Sequence, residues 1–218
     1  MKFEIIPVTP LKQNCSLLIC EHTNKAVLVD PGGNVPLIVN SIKKLGVSLE
    51  KILLTHGHLD HCGGAFELSQ KYGVLIEGPH FADKFWLDSL TLQTIEFGFG
   101  EGKAFLPHRW LNEGDIIVFG RERLNIFHCP GHTPGHIVFF NKNANLAIVG
   151  DILFAGSIGR TDFPLGNQSD LIRSIQTKLW PMGEDVAFIP GHGPMSTFLE
   201  ERKNNRYVAD HLINRKDK

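Results

Sequence analysis

Short runs of apolar, β-favouring residues alternate with Gly, Pro and Asn along most of the chain. Phe3–Val8, Ser16–Cys20, Ala26–Val29, Lys51–Leu54, Val74–Ile76, Ile116–Val118, Leu124–Phe127, Ile137–Phe140, Leu146–Val149 and Val186–Ile189 read as strands. A helical period appears at Val35–Lys44, Gly64–Tyr72, Phe81–Leu90, Ser169–Leu179 and Thr197–Ile213. The first strands follow one another as a meander, and helices intervene afterwards. One arrangement occurs twice. Ala26-Val-Leu-Val-Asp30 leads through a Gly-rich turn and a helix to Lys51-Ile-Leu-Leu-Thr-His56. Leu146-Ala-Ile-Val-Gly-Asp151 leads through a Gly-rich loop and a helix to Val186-Ala-Phe-Ile-Pro-Gly-His192. Two such units face to face would put two sheets in the middle and helices outside. Each would deliver an Asp and a His from strand ends to a shared edge.

The chain has 218 residues, 42% of them apolar, enough for one domain over residues 1–218. Asn214–Lys218 is a charged stretch expected to be a loose tail. A net charge of −1 leaves no basic footprint for nucleic acid or an anionic membrane. No apolar run approaches the roughly 20 residues that span a bilayer, and Met1-Lys2-Phe3-Glu4 does not open a signal segment. Cys15, Cys20, Cys62 and Cys129 are scattered, so a reduced, cytoplasmic protein is expected. Oligomeric state is not written in the pattern. What stands out is eleven histidines against two tyrosines, because imidazole suits zinc and other first-row metals.

The histidines begin where the strand Lys51–Leu54 ends. His56, His58 and Asp60 alternate, so in extended backbone they would share one side. His61 breaks the alternation, as it would where a helix starts. Four potential ligands within six residues can face two neighbouring points, which is what a pair of metals about 3.5–4 Å apart needs. Three further candidates each follow a glycine: His132 in Cys129-Pro-Gly-His132, Asp151 in Val149-Gly-Asp151, and His192 in Ile189-Pro-Gly-His192. Structural zinc sites are closed four-ligand shells, so this larger set implies two metals with open positions.

From Asn14-Cys15 to Pro190-Gly-His-Gly-Pro194 the chain resembles the metallo-β-lactamase superfamily, and within it the short, single-domain glyoxalase II-like hydrolases. The resemblance implies an α+β fold, an αββα four-layer sandwich with the site at one edge of the sheets. It implies that His56, His58 and His132 hold one divalent metal, that Asp60, His61 and His192 hold a second, and that Asp151 bridges them. Zinc is the first expectation, with iron or manganese as alternatives. Asp30, Thr55 and His136 are expected to brace the ligands, since a ligating imidazole needs a partner for its other nitrogen. An ordinary turn or core role is the competing account of Asp30 and His136.

The implied reaction is hydrolysis of a small-molecule thioester, S-lactoylglutathione to D-lactate and glutathione, by a hydroxide between the metals, with Asp60 moving the proton. Arg160 falls where the family binds the glycine carboxylate of glutathione. Two departures bear on that pocket: Asp162 stands where full-length enzymes carry tyrosine, and little chain follows His192 to supply further cations. Arg202, Lys203 and Arg206 lie there but read as a solvated helix face. Gly159-Arg-Thr-Asp-Phe163 also resembles persulfide dioxygenases, whose single iron would sit on His56, His132 and Asp151. Other thioesters or lactones are a further alternative. β-Lactam cleavage fits less well, because lactam-cleaving relatives commonly carry Cys where this chain has Asp151. His80, His108, His128 and His211 carry no assignment. Cys62 and Cys129 read as small buried residues, and Phe81–Leu90 reads as a core helix rather than a roof over the site.

Overall fold

A computed structural model describes residues 1–100 and 102–213; the expected tail, 214–218, lies outside them. β1 (Lys2–Val8), β2 (Gln13–Ile19) and β3 (Lys25–Val29) form an antiparallel meander. α1 (Val35–Leu45) then crosses over to β4 (Ser48–Leu53), which pairs parallel with β3. Pro36 in the first turn of α1 and Gly46 at φ 62° just past its end bound that helix. α2 (Leu59–Cys62), α3 (Ala65–Tyr72) and β5 (Leu75–Glu77) follow, then α4 (Lys84–Asp88) and α5 (Leu90–Phe97). The second half holds β6 (Ile116–Phe119), β7 (Glu122–His128), β8 (Ile137–Asn141) and β9 (Leu146–Gly150). After them come β10 (Leu153–Phe154), β11 (Ser157–Ile158), α6 (Gln168–Ser174), β12 (Ala187–Pro190), β13 (Ser196–Thr197), α7 (Phe198–Asn204) and α8 (Asp210–Ile213).

One sheet has the order β1-β2-β3-β4-β5 and the other β13-β12-β9-β8-β7-β6. The repeated units of the sequence are the two parallel pairs, β3 with β4 and β9 with β12. Alternate residues of each strand go to different layers, because side chains switch faces with period two. Leu18, Val27, Val29 and Leu53 meet Leu124, Ile126, Ile137, Phe139 and Ile148 between the sheets. Their neighbours Leu17, Leu28 and Ile52 pack outward on Ile38 and Ile42 of α1 and Leu68 of α3. Val138, Phe140, Val149 and Phe188 pack outward on Leu171 of α6 and Phe198 of α7. Strands covered on both faces read as continuous apolar runs. The result is the expected αββα sandwich.

Three helical expectations are corrected. Phe81–Leu90 is a 3-10 turn, Phe81–Asp83, followed by α4, and the helical run continues beyond Ser89 through α5. Ser169–Leu179 leaves α-geometry after Ser174 and continues as a wider π-turn over Ile175–Leu179. Thr197–Ile213 is interrupted at Asn205, whose backbone is extended. The Asn205 side chain donates to Ser157 O and Glu201 Oε2 and accepts from Tyr207 N, tertiary bonds that outweigh helix propensity.

Candidate metal centre

The ends of β4, β9 and β12 and the loop between β7 and β8 meet at one edge of the sandwich. His56 and His58 leave β4 in extended backbone, and His58 directly precedes α2. Asp60 and His61 sit on α2, so the simple alternation of His56, His58 and Asp60 does not hold. The helix turns Asp60 away from the first two histidines and toward His61. His132 lies between β7 and β8, Asp151 follows β9, and His192 follows β12. The edge is stitched by Asn14 N donating to Gly191 O (2.7 Å) and Asn14 Nδ2 donating to Pro190 O (3.0 Å) and Gly193 O (2.8 Å).

Two clusters result. In the first, His58 Nδ1 lies 3.1 Å from His56 Nε2 and 3.0 Å from His132 Nε2. In the second, Asp60 Oδ2 lies 3.1 Å from His192 Nε2 and 3.7 Å from His61 Nε2. Asp151 stands between them. Its Oδ2 is 3.6 Å from His132 Nε2 and 3.7 Å from His192 Nε2, and its Oδ1 is 3.4 Å from His61 Nε2.

In four of the five imidazoles, all but His58, the remaining ring nitrogen has a partner that fixes the tautomer. His56 Nδ1 donates to Thr55 Oγ1 (2.9 Å), which donates to Asp30 Oδ2 (2.6 Å). His61 Nδ1 donates to the same Asp30 oxygen (2.9 Å), while Thr55 N donates to Asp30 Oδ1 (2.7 Å). His132 Nδ1 donates to Arg160 O (2.7 Å) and His192 Nδ1 to Leu11 O (3.2 Å). Asp30 also lies close to His56 and His61 as a third potential ligand group, but its oxygens already accept from these donors. His136 accepts the backbone N–H of Asp151 at Nε2 (3.1 Å) and stacks on His56. Asp30, Thr55 and His136 therefore contact the clusters or their backbone.

The donor set fits divalent metal ions. Burial, then the neighbouring imidazoles, hold His56 and His58 well below the usual imidazole range, so their lone pairs are free. Burial also pulls His61 down, but Asp151, Asp60 and Asp30 outweigh it and push it well up. Asp151 is driven up by burial and far lower by His61, His132 and His192. The second cluster thus calls for positive charge. His61 Nε2 and Asp151 Oδ1 are buried without a hydrogen bond, although they face each other. Buried polar atoms without protein partners, of this kind, suit a bound cation.

A cavity of about 620 Å³ opens onto both clusters through His58, Asp60, His132, Asp151 and His192. Its walls include Trp86, Phe97, Phe99, Phe154 and Phe163, with Arg160 and Glu96 as the charged lining outside the clusters. Phe81–Leu90 serves the core through Leu87 and Leu90, and in addition Trp86 lies edge-on to His58 at 4.4 Å and forms part of the cavity wall. Arg160 is bidentate to Asp162 at 2.6 Å and lies over Phe163. Arg202 pairs with Asp210 and Glu184, as a solvated face would. His80 stacks on His128, away from the clusters. Cys62 and Cys129 are buried, and burial pushes both thiols up.

The sequence reading missed one acid. Asp83 is fully buried and bonds both ligand loops. Its only sequence signal is an acid in an otherwise aromatic helix start, Phe81-Ala-Asp83-Lys-Phe-Trp86.

Residues 8–192 match the metallo-beta-lactamase superfamily, and the chain belongs to that family. It is similar to a Haemophilus influenzae protein named hydroxyacylglutathione hydrolase GloC, 46% identical over 95% of this chain and 98% of the relative. A solved B3 metallo-beta-lactamase, BLEG-1, is 29% identical with a TM-score of 0.88, covering 95% of this chain and 99% of that one. The solved TTHA1623, in a di-iron-bound form, is 30% identical with a TM-score of 0.86, covering 94% and 100%. The protein is a metal-dependent hydrolase of the glyoxalase II-like kind. No helix among the described residues is long and apolar enough to cross a membrane.

Proposed function

We propose that this enzyme hydrolyses S-acylglutathione thioesters, S-lactoylglutathione to D-lactate and glutathione, at a binuclear centre. The observation that carries the reading is the pair of clusters sharing Asp151 at the floor of one cavity. The similarity to a protein named hydroxyacylglutathione hydrolase supports the choice of thioester. His56, His58 and His132 would hold one metal and Asp60, His61 and His192 the other, with Asp151 between. Zinc is our first expectation, and the di-iron relative keeps iron in view. When bound, the metals supply Lewis acidity that ionises water near neutral pH and polarises the thioester carbonyl. Asp60 faces the cavity and accepts the proton of the attacking water. The aromatic wall excludes bulk water from the acyl carbon. Arg160 at the cavity lining takes a carboxylate of the thiol part. The departing thiolate is a good leaving group and needs no strong acid. The four buried free thiols fit a cytoplasmic enzyme.

A single-iron persulfide oxygenase would use His56, His132 and Asp151 and leave Asp60, His61 and His192 without a role. Steady-state hydrolysis of S-lactoylglutathione tests the proposal, with metal counted per chain and a β-lactam, a lactone and a persulfide assayed alongside. We expect two metals, and a rate that falls by more than roughly 100-fold in His58→Ala, beyond the range for loss of an outer partner. A wild-type rate no higher than that variant's would sink it.

A further inference from the structure

Asp83 is a buried carboxylate for which the reaction above has no use. It ends the 3-10 turn Phe81–Asp83 between β5 and α4. The turn is held by His80, whose Nδ1 accepts Ala82 N and whose carbonyl accepts Asp83 N. Among the described residues Asp83 has no ion-pair partner. Its three bonds come from neutral donors: Gly57 N to Oδ2 (3.0 Å), Thr133 Oγ1 to Oδ2 (2.7 Å) and Gly135 N to Oδ1 (2.6 Å). Burial raises it to about 6 in spite of these bonds. A buried acid without a counter-charge costs stability, so its presence calls for a reason other than stability.

The donors give that reason. Gly57 lies between His56 and His58, at the end of a strand of the first sheet. Thr133 and Gly135 lie between His132 and His136, in a loop of the second sheet. The first cluster draws its imidazoles from both sheets, so its spacing depends on how these two loops stand to each other. One carboxylate grips both. The glycines permit the approach: a Cβ at 57 would meet Trp86 Cβ at 2.6 Å, and one at 135 would meet Asp83 N at 2.5 Å and Asp83 Cγ at 2.7 Å. His80 N donates to Gly135 O (3.1 Å) and adds a backbone tie to the same loop.

We propose that Asp83 is a positioning residue that sets the spacing of His56 and His58 against His132, and so the metal affinity of the first cluster. The proposal rests on the metal-centre reading above. It differs from a general structural role in being local, because no Asp83 bond reaches Asp60, His61 or His192.

Two backgrounds separate the clusters. His192→Ala leaves the first intact, and His58→Ala leaves the second. Zinc affinity of the metal-free full chain is measured in each by competition with a chromophoric chelator, with and without Asp83→Asn. Asn keeps the volume but places an N–H₂ against the donors. We expect Asp83→Asn to weaken zinc binding by about 10–100-fold in the His192→Ala background and by less than about threefold in the His58→Ala background. Equal losses in both, or none in either, would overturn the proposal. If Asp83→Asn does not fold, Thr133→Val removes one donor and keeps the carboxylate. It should then weaken the first cluster alone by several-fold, and unchanged affinity would overturn the idea. A wild-type chain that binds no zinc would overturn the metal-centre reading as well.

Discussion

Each imidazole of the two clusters other than His58 is set by a bond at its far nitrogen, and the strongest of these sets runs through Asp30. That carboxylate accepts from Thr55 N, Thr55 Oγ1 and His61 Nδ1, and Thr55 passes the restraint on to His56. One residue therefore orients one ligand of each cluster. Outer partners of this kind are worth about 10–100-fold in metal affinity. We expect Asp30→Asn to lose that much at both clusters and Thr55→Val to lose it mainly at the first, read by zinc competition on the metal-free chain. Equal loss at both from Thr55→Val would contradict the relay. Asp83 gives a separate prediction through acid stability. Its pKa is raised in the folded protein from 3.8 to about 6, so the folded state binds the proton more tightly than the unfolded chain. Its contribution is favourable below the unfolded pKa and is lost as pH rises through about 6. The shift corresponds to about 3 kcal/mol between those limits. Metal-free wild type should therefore gain stability relative to Asp83→Asn as pH falls from about 7 to about 4. Parallel denaturation curves across that window would show that Asp83 keeps an ordinary pKa.

The elements matter here for where they stop. β9 ends at Gly150, at φ 50°, and the next residue is Asp151. A Cβ at 150 would lie 2.6 Å from His136 Nε2 and 2.7 Å from Thr55 Oγ1. Gly150→Ala must shift both braces besides carrying a left-handed backbone worth about 1–2 kcal/mol. We expect a loss of at least about 2 kcal/mol in urea unfolding, with weaker metal binding. The same alanine at Gly46, also left-handed but with no atom within 4 Å, should show only the backbone part. Such endings were legible in the chain where glycine sits beside a ligand: before Asp151, His132 and His192, and after His56. The strands were legible because Leu17–Leu18 and Val27–Val29 are covered on both faces and read as apolar runs. β10, β11 and β13 were not, since two residues cannot show a period. Asn205 broke an expected helix through a bond to Ser157, far away in sequence. Asp83 was hidden for the same reason: its partners lie 26, 50 and 52 residues away.

At the scale of the molecule, the centre joins the two sheets. His56, His58, Asp60 and His61 follow a strand of the first, whereas Asp151 and His192 follow strands of the second and His132 sits in its β7–β8 loop. Without metal, that edge is held by backbone bonds such as Ile137 N to Thr55 O (2.8 Å) and Asn14 N to Gly191 O (2.7 Å), while Asp151 Oδ1 and His61 Nε2 stay unsatisfied. Bound ions would satisfy those atoms and tie both sheets at once. The unfolded chain has no preformed site, so binding free energy becomes folding free energy. At free metal about 1,000-fold above Kd the gain is about 4 kcal/mol per site, and a chain of this length shifts by about 2–4 °C per kcal/mol. Filling one site should therefore raise Tm by about 8–16 °C, and filling both by more. Scanning calorimetry of chelator-stripped protein, before and after adding back zinc, checks this. His192→Ala should keep part of the rise, because the first cluster survives. The double variant His58→Ala/His192→Ala should keep almost none, because each cluster has then lost a member. If loaded and stripped wild type melt together, the native clusters hold zinc no more tightly than the unfolded chain does, and the two-cluster reading of the metal centre fails.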